Sequence, residues 1–313
     1  MHSAKDFKQT ANHLEEMSLR SYKERMNTAN KKDARTHQLS ASELEKLQNV
    51  LLEMFLDIKS VCDRNGLVCM LLGGSALGAV RHQGFIPWDD DLDVGMTRED
   101  YDKFRAIFTS ELGDNYILNA PNYAIRPITR FPKVLKKDSL FVEVGSIEDE
   151  RSKVFIDIFI IENVPANAIQ RYVLGSVCTL LMFIGSRVLS YETELHNEDR
   201  LSLRAVLGKC FSFLPSARWF DYTDNVVGCV KRQTGFLGIP TGRKHYFGEI
   251  FRRDTFLPPS NGVFEGHCVY LPGDWDSYLK NLYGDYMTLP PEEKREHHYV
   301  SRFSLDAKDM KES

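Results

Sequence analysis

Asp89, Asp90, Asp91 and Asp93 put four carboxylates into five residues of the stretch Gly84–Val94, GFIPWDDDLDV. Unit negative charges about 5–6 Å apart repel by roughly 1 kcal/mol even in water, and by more where water is scarce. Apolar residues flank the run on both sides, which is not the pattern of a bland solvated loop. Side chains two apart on a strand share a face, so Asp91 and Asp93 are expected to project together while Leu92 and Val94 turn into the core. Asp89 shares their side if the chain is already extended there, and Asp90 points away. Two or three hard oxygen ligands on one face are what Mg²⁺, or Mn²⁺ in its place, takes beside substrate phosphates.

The residues upstream suit the same chemistry. Leu67–Leu72, LVCMLL, reads as a buried strand, and Gly73-Gly74-Ser75 breaks it to open a short helix from Ala76 to about His82. Backbone N–H groups at a helix start suit a phosphate. A pair of metals bound to the acids would bridge attacking and leaving oxygens in phosphoryl transfer. A third carboxylate is expected on a neighbouring strand. Asp157 is the candidate, as the one charged residue in Val154–Ile161, VFIDIFII. A lone carboxylate in such a run costs free energy unless it meets a cation or a donor; the bland alternative is a sheet-edge residue facing water.

Two rival chemistries fit parts of the acidic run. Asp89-x-Asp91-x-Asp93 with Asp100 at the twelfth position imitates an EF-hand loop, but Val94 stands where that loop needs Gly, and Gly-Phe-Ile-Pro-Trp is no entering helix. The Asp-x-Asp of a sugar-nucleotide glycosyltransferase explains the acid pair but leaves the Gly-Gly-Ser turn without a role.

The elements that must hold these residues follow from periodicity. Leu44, Leu47, Leu51, Met54, Ile58 and Val61 repeat at helical spacing; Ser42 with Glu45 fits a capping box, and Asn65-Gly66 ends the helix. Leu92–Met96 reads as strand, and Thr97 caps a helix to about Leu112 with Glu99 and Asp100 in its first turn. Tyr116–Asn119, Ile128–Leu135 and Val154–Ile161 read as strands, and residues 167–233 as mostly helical. The part from Tyr246 on, rich in aromatics, Gly and Pro, reads as irregular. The fold class is α/β (α+β): a mixed sheet with flanking helices in residues 39–165, a polar leader in 1–38, and a helical and irregular section in 166–313 that packs back on the core.

Composition sets outer bounds. The chain has 313 residues, 40 Lys+Arg against 44 Asp+Glu, and a formal net charge of −4, which is not the charge of a nucleic-acid binder. The six cysteines form no C-x-x-C pair and no metal-finger spacing, so they read as buried free thiols in a reducing compartment. The N-terminus is polar with no signal-peptide core, and a cytoplasmic location follows as an expectation. The longest uncharged run, Tyr172–Ser186, is shorter than the ~20 residues that span a bilayer. It reads as a buried helix, with a membrane-surface element as the second reading because apolar and basic Arg200–Phe220 follows.

Leu71–Phe104, LLGGSALGAVRHQGFIPWDDDLDVGMTREDYDKF, resembles the signature of the LicD family, the phosphocholine-transferase and fukutin-type group within the nucleotidyltransferase-fold superfamily. FPKVLKKDS (Phe131–Ser139), VFIDIFIIENVP (Val154–Pro165) and YLKNLYGDYMTLPPEEKREHH (Tyr278–His298) resemble later family blocks in the right order. Where members commonly read IDIFPLD, this chain has IDIFIIE, with Ile160 and Glu162.

The resemblance implies a nucleotidyltransferase-like sheet. It places the superfamily's Gly-Ser turn on Gly74 and Ser75, its acid-x-acid pair on Asp91 and Asp93, and its third acid on Asp157, with Asp89 also near metal. It implies transfer of a phosphorylated alcohol, phosphocholine foremost, from a CDP-linked donor to a hydroxyl of a cell-surface glycan or lipid-linked precursor such as lipopolysaccharide or teichoic acid. Ribitol or glycerol phosphate transfer by the same chemistry is the near alternative, and an inactive glycan- or membrane-associated binding protein the non-enzymatic one. Arg81 and Lys133 are candidate phosphate partners, and Trp88 a candidate platform for a base or a choline cation. His82 reads as a helix-end residue and the Tyr283–Tyr286 block as a turn; Arg295, His297 and His298 fall in the last family block, with a solvated tail as the bland alternative.

Overall fold

The computed structural model describes residues 38–123, 129–143, 148–196, 203–291, 295 and 299–305. The expected leader falls outside the described residues except for its last position, as do Ile128, His297 and His298.

Helix α1 (Ala41–Arg64) buries Leu47, Leu51, Met54, Phe55, Ile58, Val61 and Cys62. Its capping box is Ser40 with Glu43, two residues before the expected pair: the Ser40 hydroxyl accepts from the Glu43 N–H and the Glu43 carboxylate from the Ser40 N–H. Two patterns fit the same rule there, and the helix takes the earlier one, which lengthens it by about half a turn. Strand β1 is only Met70–Leu71. Helix α2 (Gly73–His82) starts at the glycines themselves, three residues before the expected start. Strand β2 (Asp93–Thr97) leads into helix α3 (Arg98–Leu112), where the Thr97 hydroxyl accepts from the Asp100 N–H as its spacing predicts.

Strands β3 (Tyr116–Asn119), β4 (Lys133–Lys136), β5 (Leu140–Glu143) and β6 (Phe155–Val164) follow. Then come helices α4 (Ala168–His196), α5 (Leu203–Lys209) and α6 (Ser216–Val227). The C-terminal part is more regular than expected. It holds β7 (Phe236–Gly238), a short helix α7 (His245–Gly248), β8 (Ile250–Arg252), the hairpin β9 (Ser260–Phe264) and β10 (His267–Leu271), helix α8 (Trp275–Tyr283) and β11 (Val300–Ser304). Its Gly and Pro residues punctuate short strands rather than a loop.

The main sheet runs β3-β4-β6-β2-β1-β10-β9, with β7 and β8 extending it from β6. It is mixed: β6 pairs parallel to β2 and β1 parallel to β10, while β1–β2, β4–β6 and β9–β10 are antiparallel. The two central strands, β6 and β2, present Val94, Met96, Ile156, Ile158 and Ile160 to one face, in one buried cluster with the α1 stripe and Tyr101, Phe104 and Phe108 of α3.

Two sequence expectations are corrected outside the sheet. Helix α4 is not a buried helix. Ile169, Tyr172, Val173, Val177, Leu180 and Phe183 are exposed, because the protein covers the side with Cys178 and Met182 and, in the later turns, Ile184 and Val188. The thiols divide evenly: Cys62, Cys69 and Cys178 are buried, whereas Cys210, Cys229 and Cys268 are exposed and unpaired by disulfide.

Candidate active site

The acidic run enters the sheet at Asp93, the first residue of β2. The parallel register places Asp93 beside Asp157 on β6, and the antiparallel register places Asp157 beside Lys133 on β4. Three adjacent strands therefore present an acid, an acid and a base on one rung. Lys133 Nζ lies 2.9 Å from Asp157 Oδ1 and 3.4 Å from the centroid of the Phe155 ring. Asp157 is interior to the sheet, between β2 and β4, so the edge-strand alternative fails.

The glycine turn faces this rung. Gly73 has φ +51°, a conformation that favours glycine. A Cβ on Gly73 would collide with the Asp93 carboxylate, and one on Gly74 would lie 2.9 Å from Asp89 Oδ2. Both acids thus stand against the first turn of α2, where the N–H groups and the helix dipole favour negative charge. Ala76 N–H makes the first bond of the turn, to Leu72 C=O, and Gly74 and Ser75 precede it. The Ser75 side chain is buried and its Oγ accepts from the Asp93 N–H at 2.8 Å, so it ties the turn to β2.

The C-terminal third closes the other side. Tyr278 Oη accepts the Gly73 N–H at 3.1 Å from α8. Burial pushes the Tyr283 phenol well above its usual range, and Asp93, Asp89 and Asp91 push it further, so this ring lies within electrostatic reach of all three acids. The Arg243 guanidinium lies 5.5 Å from the Tyr283 ring centroid and opposes that shift. Arg81 Nη1 donates to the Tyr286 carbonyl at 2.7 Å and feels the Asp89 carboxylate, so it braces α2 against the Tyr283–Tyr286 turn at the acidic rim. Trp88 is half-buried; the Arg295 guanidinium sits 4.2 Å over its ring and His82 meets it edge-on at 6.4 Å.

The site is short of positive charge. Burial raises the Asp93 carboxyl well above its ordinary range, and Asp91, Asp157 and Asp89 raise it further, while Lys133 opposes them. Arg130, whose guanidinium is lowered by burial, is drawn the other way by Asp157. His245 follows from the far side. Burial, then Arg130, pushes its imidazole down to about 4, and its Nδ1 has no hydrogen-bond partner among the described residues.

Among the described residues no three carboxylate, imidazole or thiol groups converge closely enough to be a ready-made metal centre. The donor set still suits a hard divalent cation. It consists of carboxylate oxygens alone, and a cation would relieve the repulsion that raises Asp93.

The structure brings Asp89, Asp91, Asp93, Asp157, Lys133, Gly74 and Arg81 to one end of the sheet. It turns the Ser75 hydroxyl inward and covers a face of Trp88 with Arg295. Sequence reading missed Tyr278, Tyr283, Arg130, Arg243 and His245. The late YLKNLYGDY block carried the one signal for the tyrosines, whereas nothing in the local sequence marks the other three.

Residues 66–172 match the family model described as the LicD/FKTN/FKRP nucleotidyltransferase domain. The chain is 26% identical over 268 residues to the lipopolysaccharide cholinephosphotransferase LicD of Haemophilus influenzae, a match that covers 82% of this chain and 96% of that protein. Shorter stretches match two uncharacterised rickettsial proteins. One, from Rickettsia typhi, is 39% identical over 75 residues, 24% of each chain. The other, from Rickettsia prowazekii, is 44% identical over 50 residues, 16% of this chain and 19% of that one.

Proposed function

We propose that this chain is a LicD-type phosphotransferase that moves phosphocholine from a CDP-linked donor to a hydroxyl of a cell-surface glycan or its lipid-linked precursor. The observation that carries this reading is the Asp93–Asp157–Lys133 rung facing the Gly73-Gly74 turn. It supports phosphoryl transfer because it pairs oxygen donors for a divalent cation with N–H groups and a lysine for phosphate oxygens.

Asp91, Asp93 and Asp157, with Asp89 at the rim, would hold Mg²⁺ or Mn²⁺. Such an ion supplies charge neutralisation of the donor diphosphate. The N–H groups of Gly74 and Ser75 receive a phosphate oxygen at the start of α2. Lys133 and Arg130 add positive charge on the Asp157 side, and Arg81 on the Asp89 side. The acceptor oxygen forms a bond to the phosphorus bearing the alcohol as the bond from that phosphorus to the CMP oxygen breaks. The acceptor's proton passes to a carboxylate of the cluster. Positioning and charge stabilisation carry most of the rate.

Nucleotide release tests the reading, CMP from the CDP-alcohols and UDP from a sugar nucleotide. Purified protein is given CDP-choline, CDP-ribitol, CDP-glycerol or UDP-hexose with Mg²⁺ and a lipopolysaccharide acceptor, and Asp91→Ala is the control. Release from CDP-choline that needs both acceptor and Asp91 is the expected result. Release from another CDP-alcohol alone would replace the donor, and turnover of UDP-hexose would replace phosphoryl transfer by glycosyl transfer.

A further inference from the structure

Helix α4 leaves an apolar stripe exposed. Ile169, Tyr172, Val173, Val177, Leu180 and Phe183 repeat at three- and four-residue spacing and are all exposed, Ile169 at 75% and Leu180 at 57%. From 169 to 183 the stripe runs about 21 Å along one side of the helix. Scattered exposed apolar residues are ordinary, but a contiguous row marks an interaction face. The opposite side is packed closely onto the protein: a Cβ on Gly185 would press on Phe220, and one on Gly175 on Tyr246. The helix is long and apolar enough to cross a membrane, yet a third of its most apolar window is buried inside the protein. It therefore shows one side to protein and the other to solvent, which is the geometry of a helix lying on a bilayer rather than through it.

Charge selects the kind of surface. No Asp or Glu occurs from Ala168 to Tyr191, where Arg171 and Arg187 are the charged residues. Residues 201–253 carry nine Lys+Arg against three Asp+Glu, a net of +6 in a chain whose total is −4. Lys209, Arg218, Lys231 and Arg232 of that section are exposed. Helices α5 and α6, which pack on α4, belong to this basic section, and positive charge near the stripe suits an anionic bilayer, to which each nearby Lys or Arg adds attraction.

The stripe also leads to the site. The Tyr172 ring lies 6.0 Å from that of Phe247, an exposed residue of α7. At the other end of the same short segment, Arg243 reaches Tyr283 beside the acids.

We propose that this chain docks on the surface of an anionic lipid bilayer through the α4 stripe and Phe247, which sets the acidic site at the membrane plane, where a lipid-anchored acceptor presents its sugar. The proposal is tested by co-sedimentation of the full chain with vesicles of phosphatidylcholine alone and with a quarter phosphatidylglycerol. The expected result is binding to the anionic vesicles, severalfold weaker in 0.5 M NaCl and at least tenfold weaker for Val177→Asp/Leu180→Asp. That variant should keep the wild-type melting temperature and CMP release with a soluble acceptor, because neither side chain touches the core or the acids. Leu180→Ser is the milder companion and should bind with an intermediate loss. Absence of wild-type binding to either vesicle would overturn the proposal, as would binding that ignores both variants. A dimer in sedimentation equilibrium that Val177→Asp/Leu180→Asp dissociates, without vesicle binding, would assign the stripe to a second copy instead. Vesicle binding is read without turnover, so its failure leaves the transfer chemistry standing.

Discussion

Asp93 is costly to keep ionised. Its carboxyl is raised by burial and by three neighbouring acids, so in the folded chain it loses its proton at a higher pH than in the unfolded chain. A raised carboxyl contributes stability below its folded value and costs stability once both states are ionised. Asp93→Asn in metal-free protein at pH 7 should therefore raise Tm, on the order of a few °C for a chain of this size, while CMP release falls at least a hundredfold. Calorimetry and turnover on the same preparation check both, and an Asn variant that melts lower than wild type would contradict the electrostatic account. Gly74 gives the complementary case. A Cβ there lies 2.9 Å from the Asp89 carboxylate, closer than real contacts allow. Gly74→Ala should leave the fold in place, since the helix accepts Ala, yet shift Asp89 and weaken donor binding; KM for the CDP-alcohol is the measurement. Much of this was legible in the sequence, because Asp-x-Asp on a strand and Gly-Gly at a helix start are local patterns whose geometry two or three residues determine. The burial of Ser75 was not, since its partner is an N–H eighteen residues away.

At the scale of elements, β6 is tied to two helices by charge. Arg98 at the start of α3 pairs with Glu162 on β6 and with Asp224 on α6, the latter at 2.7 Å. Glu162 is buried, and its carboxyl is raised by burial despite that partner. This gives the departure from IDIFPLD a structural role, as the acid of IDIFIIE anchors α6 through an arginine. Removing the cation leaves two carboxylates facing each other in a dry place, which costs about 3–5 kcal/mol. Arg98→Ala should lower stability by that amount in urea melts, and Arg98→Ala/Glu162→Gln should recover part of it. Periodicity located α3, β3 and the core of β6 nearly to the residue. It failed on α4 because an apolar run says that a helix is apolar all round, not which side the rest of the chain covers. It failed on β8–β10 because strands of three to five residues are too short to show an alternation.

Across the whole molecule, burial couples the site to pH. His245 is held at about 4 against an ordinary value near 6.5. A depressed histidine contributes stability that is complete above 6.5 and lost as pH falls towards 4, up to about 3 kcal/mol for such a gap. Stability should decline through that window in urea titrations, and His245→Asn, which tolerates the local φ of +55°, should flatten it. A variant with the same slope would assign the loss to other groups.

The pairing of β1 with β10 joins residues about 200 apart, Met70 with Tyr270, and the hydroxyl on the Gly73 N–H comes from Tyr278. On a ribosome the amino-terminal half emerges with β1 as an open edge and its glycine turn unsupported, at a synthesis rate of roughly 5–20 residues per second. For about ten seconds or more, the acids exist without the wall that completes their pocket. The nascent chain thus lacks a complete site wall until its last third has been made, and a stop before β10 leaves the edge of β1 unpaired.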